Sequence, residues 1–340
     1  MKKLFPLALL ALLACDIWRD DIAHSGLFVV KVDSLCGYIN QTGQVVITPQ
    51  FGDAMDFSGG LARVRVSVPS GPVWGFIDES GAYVIDPQFD AAGPFSEGLA
   101  RINARVGKDS LDGFINKAGD TVIHPQFEAA GDFSEGRAVV HVGGYSGGKF
   151  GYIDKTGRLV IGYSFDEAGD FHEGLAPVRV DSLWGYVDKD GDFAITPQFT
   201  DARGFAEGLA AVHLIDQWKY IDKSGKTAFN TLFFGAASFS DGLALVWNMQ
   251  AGEVGYGYVD AGGWVVVSPQ FGEARAFSEG LAAVCTGNRW GFIDRTGKFV
   301  ISPQFLNAAS FSGGLARVEQ PQTGAFGYVD RTGAYVWGPY

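Results

Sequence analysis

Residues 74–89 read Trp-Gly-Phe-Ile-Asp-Glu-Ser-Gly-Ala-Tyr-Val-Ile-Asp-Pro-Gln-Phe, and this stretch decides the fold. A short apolar run precedes Asp78, and a second run follows Gly81 and ends at Pro87. Short β-branched and aromatic runs bounded by Gly and Pro are typical of β-strands. An Asp at the first position and a Gly at the fourth are the signature of a type I turn. The stretch therefore predicts a tight antiparallel hairpin.

The hairpin recurs in nine units. The Gly after the first aromatic residue, or its equivalent, falls at positions 37, 75, 113, 151, 185, 219 (here Lys219), 257, 291 and 327. Every unit contains an Asx-x-x-Gly turn, from Asn40–Gly43 to Asp330–Gly333, and most open on a strand like Gly60-Leu61-Ala62-Arg63-Val64. One such unit cannot bury its own apolar face, so neighbouring units must stack. The sequence predicts an all-β tandem array of nine three-stranded antiparallel units over residues 26–340.

The array can be open or closed. Nine units exceed the usual four to eight blades of a β-propeller. The first unit begins on a whole strand at Gly26–Val30, and the last unit ends on one at Tyr335–Trp337, so no strand is left to complete a ring. These features favour an open solenoid or superhelix, with a closed β-propeller as the alternative.

The motifs resemble a known family. Trp-Gly pairs stand at 74–75, 184–185 and 290–291, together with Pro-Gln-Phe and Phe-Ser-Glu-Gly-Leu-Ala segments. In these features the chain resembles the WG-repeat (KWG-repeat) family of bacterial surface and secreted proteins. The resemblance spans residues 26–340 and implies a β-repeat architecture and interaction roles rather than catalysis. The Trp position departs from the motif in five units, which read Cys36, Asp112, Phe150, Tyr256 and Phe326.

The units differ in length at one place, the hairpin between the first and second strands. Because the insertions have even lengths, we expect extra residues on both arms, which keeps the inward and outward faces unchanged. The extended tips are 66–73, 104–111, 142–149, 248–255 and 320–325. Three belong to consecutive units and should form a projecting ridge, with Arg105, Lys108, Asp109, Tyr145 and Lys149 as candidate binding residues. The alternative is that the tips vary in length without a binding role.

The first residues predict an export signal. Lys2 and Lys3 precede an apolar run, 4–14, which is too short to span a bilayer. The run ends at Leu12-Leu13-Ala14-Cys15, which resembles a bacterial lipobox. Residues 1–14 are therefore interpreted as a lipoprotein signal peptide, Cys15 as the lipidation site and 15–25 as a short tether. We expect an extracytoplasmic protein anchored by lipid to a bacterial membrane, on its periplasmic or cell-surface side. Cys36 and Cys285 are interpreted as two buried thiols.

The sequence contains no recognisable catalytic constellation. The five histidines fall in different units, so no metal site is expected, and we find no cofactor-binding motif. The net charge of −12 argues against nucleic acid as a partner. A recurring acid, interpreted as a solvated turn residue, stands at Glu97, Glu135, Glu173, Glu207 and Glu279. The Trp positions are interpreted as core, with a sugar-binding column as the alternative.

We therefore predict a non-catalytic envelope protein that binds a protein or glycan partner. A purely structural envelope spacer is the alternative, and a glycan-active enzyme a remote one.

Overall fold

The computed structural model describes residues 25–69, 71–144, 147–250 and 253–338, and within these ranges the regular structure is all β. The predicted signal peptide, Cys15 and Tyr145 lie outside the described residues. None of the described segments is a helix long and apolar enough to cross a membrane.

The strands form nine antiparallel sheets, which we number in chain order. Sheet 1 contains β1 (Leu27–Val32), β2 (Leu35–Asn40) and β3 (Val45–Phe51), and sheet 2 contains β4 (Asp53–Ala54), β5 (Ala62–Val68), β6 (Gly71–Ile77) and β7 (Tyr83–Phe89). Sheet 3 contains β8 (Ala91–Ser96), β9 (Leu99–Val106), β10 (Asp109–Asn116) and β11 (Thr121–Phe127), and sheet 4 contains β12 (Ala129–Ala130), β13 (Ala138–Val142), β14 (Lys149–Ile153) and β15 (Leu159–Phe165). Sheet 5 contains β16 (Glu167–Ala168), β17 (Ala176–Val180), β18 (Leu183–Val187) and β19 (Phe193–Phe199). Sheet 6 contains β20 (Asp201–Ala202), β21 (Leu209–Leu214) and β22 (Gln217–Asp222), and sheet 7 contains β23 (Gly235–Ser240), β24 (Leu243–Gln250), β25 (Glu253–Asp260) and β26 (Val265–Phe271). Sheet 8 contains β27 (Glu273–Ala274), β28 (Leu281–Thr286), β29 (Arg289–Asp294) and β30 (Phe299–Phe305). Sheet 9 contains β31 (Asn307–Ala308), β32 (Ala316–Glu319), β33 (Phe326–Val329) and β34 (Tyr335–Trp337).

The predicted turn is confirmed. In sheet 2 the Asp78 carboxylate accepts hydrogen bonds from the backbone N–H groups of Ser80 (2.9 Å) and Ala82 (3.1 Å). Gly81 closes the turn with a φ of 86°, a left-handed conformation that glycine adopts at little cost. Burial of the Asp78 carboxyl is slight, and a hydrogen bond from the Ser80 hydroxyl lowers its pKa. The Asx and Gly residues therefore form the tight turn that connects the last two strands of each unit.

The prediction of three strands per unit is incomplete. Seven of the nine sheets have four strands, because part of the connector between units pairs as a short inner strand. In sheet 2, β4 pairs with β5 through Asp53↔Arg65 and Ala54↔Val64. Two residues are too few to produce a sequence period, which is why this strand was missed.

The Gly of the Trp-Gly pair allows the outer strand of the sheet to lie close to the backbone of the neighbouring strand. A Cβ on Gly75 would lie 2.7 Å from the backbone oxygen of Ile85, and the register shifts at this point. Sheet 6 carries Lys219 instead, and its residues beyond β22 make only two isolated bridges, Trp218↔Phe233 and Ile221↔Thr227. Sheet 6 therefore combines a side chain at the position of close approach with the absence of a regular outer strand in the described residues.

The core lies between sheets. At each of the eight junctions between consecutive sheets, a connector Phe packs on an aromatic ring of the preceding sheet at 4.7 to 5.1 Å between centroids. These Phe side chains are at most 2 % exposed and form the core between units: Phe57, Phe95, Phe133, Phe171, Phe205, Phe239, Phe277 and Phe311.

Sheet 9 packs against sheet 1, so the array is closed. Phe28, Val30 and Ile39 of sheet 1 form one apolar cluster with Leu315 and Tyr328 of sheet 9. The Tyr328 hydroxyl donates to the backbone oxygen of Val29 at 2.9 Å. The expectation of an open solenoid is therefore wrong, and the closed alternative is confirmed. The ring closes by side-chain packing between whole sheets, without the strand exchange on which the expectation relied.

Candidate functional site

The ring has two unlike faces. In a four-stranded antiparallel sheet the first and third connections leave at one end and the second at the other. One end carries the Ser-Glu-Gly and Asx-x-x-Gly turns, and we call it the turn face. The other end carries the hairpins between the two middle strands, where the length varies, and we call it the hairpin face.

The hairpin face projects furthest at sheets 2, 3 and 7. In sheet 3, β9 and β10 remain paired for four positions beyond the Gly113↔Ile102 pair, out to Val106↔Asp109. In sheet 5, β17 and β18 extend for only two positions beyond Gly185↔Val178. The predicted lengthening of both arms is therefore confirmed in sheet 3, and it is also present in sheets 2 and 7.

Sheet 4 departs from that prediction. Its β13 and β14 pair only as far as Val142↔Lys149, so the insertion does not lengthen the paired arms; of the connecting loop 143–148, residues 145 and 146 lie outside the described residues. The Glu128 carboxylate accepts a hydrogen bond from the backbone N–H of Gly144 at 2.7 Å and so holds one side of this loop. Four of the six loop residues are Gly, which disfavours an extended strand pair.

The predicted binding residues divide into two groups. Arg105, Lys108 and Asp109 lie together at the β9–β10 tip, and all three are exposed. Lys149 lies at the base of the sheet 4 loop, where its ammonium group contacts the Asp166 carboxylate at 2.5 Å. This hydrogen bond from Lys149 lowers the pKa of Asp166. The structure therefore presents the three sheet 3 residues outward, whereas Lys149 already has a partner within the chain.

The hairpin face also carries apolar side chains that the sequence reasoning did not single out. Ile215 at the sheet 6 tip is 83 % exposed, and further exposed apolar residues at hairpin tips are Val32, Leu35, Val106, Leu183 and Val254. Exposed apolar residues that share one face are a common feature of protein-binding surfaces. Their signal in the sequence was an apolar residue beside a hairpin tip, where polar residues are expected.

The turn face is occupied by contacts between sheets. The Glu135 carboxylate of sheet 4 accepts a hydrogen bond from the backbone N–H of Gly174 at 2.9 Å and contacts the Lys189 ammonium group of sheet 5 at 3.0 Å. Burial opposes ionisation, but these two donors outweigh it and lower the pKa of Glu135. Equivalent bonds to the next sheet are made by Glu97, Glu173, Glu207, Asp241 and Glu279. The five glutamates are turn residues, as interpreted, with φ values of 51 to 54°, but their carboxylates also link adjacent sheets, which the sequence reasoning did not foresee.

The Trp positions belong largely to the core. Trp218 and Trp290 are 8 % and 7 % exposed. The guanidinium group of Arg203 lies 5.1 Å from the Trp218 ring centre, and that of Arg275 lies 5.2 Å from the Trp290 ring centre. Trp74 and Trp184 are half-buried and pack against the edge of the core. The structure therefore favours the core interpretation over a column of exposed sugar-binding rings.

No metal centre is evident in the described part of the chain, where no three His, Cys, Asp or Glu residues come together. Cys36 and Cys285 are buried free thiols, as predicted, and burial raises the pKa of both. One acid has an unusual pKa: crowding by protein atoms, together with repulsion from Asp132, raises the pKa of Asp170 to about 6.

The closing junction contains two neighbouring cavities of about 350 and 600 Å³. Both are lined by Val29 of sheet 1, Met55 of sheet 2, and Arg317 and Tyr328 of sheet 9. We call these cavities together the junction groove. It was not foreseen, since it exists only because the ring closes.

The fold defines the molecule as a nine-bladed β-propeller. The family model of the WG containing repeat matches residues 37–67, 74–104, 113–145, 150–184, 184–214, 256–290 and 290–320. The chain therefore belongs to the WG-repeat family, as the sequence motifs predicted.

Similar solved structures agree in fold only weakly. Hsv2 of Kluyveromyces lactis aligns with 69 % of this chain and 94 % of its own, at 10 % identity and a TM-score of 0.42. An acylaminoacyl peptidase of Pyrococcus horikoshii covers 81 % of this chain and 56 % of its own, at 11 % identity and a TM-score of 0.39. The tricorn protease aligns with 90 % of this chain at 11 % identity and a TM-score of 0.28, and the alignment spans 43 % of that protease. No curated protein matches the sequence.

Proposed function

We propose that this protein is a non-catalytic binding scaffold of the bacterial cell envelope, and that its hairpin face engages a protein partner. The observation that carries the proposal is the contrast between the two faces. The turn face uses its carboxylates in links between sheets, whereas the hairpin face presents long hairpins and exposed apolar side chains.

The chemistry of the hairpin face favours a protein over a glycan. A partner that covers apolar tips such as Ile215 and Val106 stabilises the complex by about 25 cal/mol for each Å² of apolar surface removed from water. A glycan binds best to exposed aromatic planes, whereas the Trp rings of sheets 6 and 8 are covered and those of sheets 2 and 5 are half-buried. The exposed Arg105 and Lys108 add positive charge on a protein whose net charge is −12, which favours an acidic patch on the partner.

The position of the first described residues is consistent with this use. Ser25 and Gly26 lead into β1 from the turn face, and Cys15 precedes Ser25 by ten residues. Ten extended residues span at most about 35 Å. A lipid on Cys15 would therefore hold the turn face towards the membrane and leave the hairpin face directed away from it.

The proposal is tested by quantitative affinity capture from envelope extract, with the chain from Asp16 as bait. In the test variant, residues 66–73 and 104–111 are each replaced by Val-Asp-Ser-Leu, the tip that sheet 1 carries at 32–35. The matched control carries the same replacement at 248–255 in sheet 7, away from the ridge. We expect a protein that is captured by the parent and the control but is at least tenfold depleted with the test variant.

Equal capture by all three baits, or no capture, would overturn the assignment to this face and leave the structural spacer as the working model. Binding of the parent to envelope polysaccharide, with no protein depleted, would replace the protein partner by a glycan. Thermal unfolding of each bait shows whether the replaced hairpins leave the ring folded.

A further inference from the structure

The turn between the last two strands of sheet 7 differs in composition from the eight equivalent turns. Directly after the Asx residue, each of the other turns carries a charged or amide side chain, namely Gln41, Glu79, Lys117, Lys155, Lys189, Lys223, Arg295 and Arg331. The sheet 7 turn instead reads Ala261-Gly262-Gly263 and is followed by Trp264. Apart from its capping Asp260, this turn therefore contains no charged or amide side chain.

Trp264 and the residues after it form an exposed apolar patch at the outer rim of the turn face. Trp264 is 76 % exposed, and the next two residues, Val265 and Val266, are 44 % and 40 % exposed. Phe299 and Val300 begin the outer strand of sheet 8 in the same register and are also exposed. Grouped exposed apolar residues, unlike scattered ones, are typical of interaction surfaces. We call these five residues the rim patch.

The backbone of the sheet 7 turn is held in place although the indole ring lies in water. The Asp260 carboxylate accepts hydrogen bonds from the backbone N–H groups of Gly262 (3.0 Å) and Trp264 (2.9 Å). Gly263 has a φ of 80°, and its backbone lies against the Phe229 ring of sheet 6. The fold therefore fixes the base of Trp264 and leaves most of its ring accessible.

Two lysines flank Trp264 on the turn face. Lys226 of sheet 6 and Lys298 of sheet 8 occupy the position of Trp264, four residues after the Asx, and both are exposed. The carboxylates of their turns, Asp222 and Asp294, accept hydrogen bonds from backbone N–H groups within the same turn. This part of the turn face therefore presents an exposed indole ring between two exposed ammonium groups.

This combination of side chains suits the boundary between a lipid bilayer and water. Trp is enriched at the level of the lipid headgroups, because its ring is apolar and its N–H group is polar. Lys side chains at this level bury their apolar stems and place their ammonium groups among lipid phosphates. A hairpin turn at the rim is convex, so it can enter a soft lipid surface, whereas a protein partner would need a pocket to receive it.

The net charge of −12 does not exclude contact with lipid headgroups. At physiological ionic strength exposed charges are screened over about 8 Å, so the charges of the nearest turns dominate at the rim patch. Residues 222–226, 260–264 and 294–298 contain four cationic side chains and three capping Asp residues. The charge beside the patch is therefore slightly positive, in contrast to that of the whole chain.

We propose that the rim patch inserts into the interfacial region of a lipid bilayer, with Trp264 at the headgroup level and Lys226 and Lys298 bound to lipid phosphates. Contact at this patch directs the hairpin face away from the bilayer. The first described residue, Ser25, also lies on the turn face, so a lipid on Cys15 and the rim patch would meet the same membrane. The contact requires neither lipidation nor the partner proposed for the hairpin face.

The test measures flotation of the chain from Asp16, which carries no lipid, with two kinds of vesicle. One contains equal parts of phosphatidylethanolamine and phosphatidylglycerol, and the other contains phosphatidylcholine alone. We expect partition that is stronger on the anionic vesicles and weakens as salt is added. Trp264→Ala should weaken partition about tenfold or more, because the indole ring provides most of the inserted apolar surface.

A charge variant and a matched control test the lysines. Lys298→Glu should weaken partition into the anionic vesicles about fivefold or more, as expected for a cation beside an anionic surface. Arg158→Glu changes the equivalent exposed position of sheet 4, away from the rim patch, and should leave partition nearly unchanged.

A second readout identifies the inserted ring. Lipids brominated on their acyl chains should quench part of the Trp fluorescence of the parent. Trp264→Phe keeps an aromatic ring for insertion, so it should retain much of the binding but lose this quenching. Thermal unfolding verifies the fold of each variant, and replacing a Trp that is 76 % exposed should leave the ring folded.

Three outcomes would overturn the proposal. The first is that the parent floats with neither kind of vesicle. The second is that Trp264→Ala floats as the parent does, or that Trp264→Phe retains the quenching by brominated lipid. The third is self-association of the parent that Trp264→Ala abolishes, which would assign the rim patch to a second copy of the chain. The variant with shortened hairpins in sheets 2 and 3 should float normally, so failure at one site is distinguishable from failure at the other.

Discussion

At the scale of single residues, space beside the backbone decides how each sheet is completed. Gly185 packs against the outer strand of its own sheet, and a Cβ there would lie 2.5 Å from Ile195 O. Lys219 at the same position in sheet 6 coincides with the loss of the regular outer strand. The Trp-Gly pair is therefore best understood through its Gly, since the Trp varies from unit to unit while the close approach recurs.

We expect Gly185→Ala to destabilise the ring by about 1–3 kcal/mol, because the outer strand β19 must move away from the added methyl group. Thermal and urea unfolding followed by circular dichroism would measure the loss. Gly162→Ala is the matched control, since a Cβ at Gly162 meets no atom within 4 Å. Equal effects of the two substitutions would contradict the argument from close approach.

A second residue-scale prediction concerns the raised pKa of Asp170. A carboxyl whose folded pKa is about 6 binds its proton more tightly than in the unfolded chain, where the pKa is about 3.9. Stability therefore falls as pH rises from about 4 to 6 and is constant above that window. Asp170→Asn removes this charge, so it should raise the unfolding temperature at pH 7 relative to the parent.

The same substitution should have a smaller effect at pH 4, where the parent carboxyl is already protonated in the fold. Asp78→Asn is a useful contrast, because the pKa of Asp78 is lowered and its contribution is lost as pH falls. A pH-independent effect of Asp170→Asn would show that the pKa of Asp170 is not raised in the fold.

At the scale of elements, the connector between sheets, about ten residues long, contributes several separate contacts to the ring. Its first residues form the short inner strand, its Phe fills the space between sheets, and its acid bonds the next connector. Its Ser adds another link, as when the Ser134 hydroxyl donates to Phe171 O at 2.6 Å. The connector is therefore the element that joins the sheets into one body.

We expect Glu135→Ala to cost about 1 kcal/mol, because it leaves the Gly174 N–H without its acceptor and removes a partly exposed ion pair of small value. Hydrogen exchange at the Gly174 amide is the direct measurement, and protection there should decrease. Since the pKa of Glu135 is lowered in the fold, its contribution should disappear as pH falls below about 4.

The exposed Glu79 of the sheet 2 turn provides the control, and Glu79→Ala should leave the Gly174 amide unchanged. Unaltered exchange at Gly174 in the Glu135 variant would mean that the carboxylate bond contributes nothing to the link between sheets 4 and 5.

At the scale of the whole molecule, closure couples the two ends of the repeat array. In an open array each repeat contacts only its sequence neighbours, so a change in the last repeat leaves the first unaffected. Here Leu315 of sheet 9 packs in one cluster with Phe28 and Val30 of sheet 1. Closure therefore makes a local change at one end detectable at the other.

We expect Leu315→Ala to cost about 2–5 kcal/mol and to increase hydrogen exchange in β1, although the two segments are far apart in sequence. Leu175→Ala alters the equivalent residue of sheet 5, which is also buried, and should leave β1 protected. If β1 responds to neither substitution, the ring is not closed in solution.

The sequence by itself determined the repeat, the hairpin and the core between units, because these depend on local periodicity, turn chemistry and the recurrence of Phe. It also located the variable hairpins and the exposed Arg105, Lys108 and Asp109, since a difference in length between repeat units can be read directly from the sequence. It did not determine closure or the role of Glu135, because both depend on contacts between sheets. It did not determine the short inner strand either, because a pairing that is two residues long in most sheets leaves no residue pattern. The junction groove is the clearest case: Val29, Met55 and Tyr328 come from both ends of the chain, and only the curvature accumulated over nine sheets brings them together.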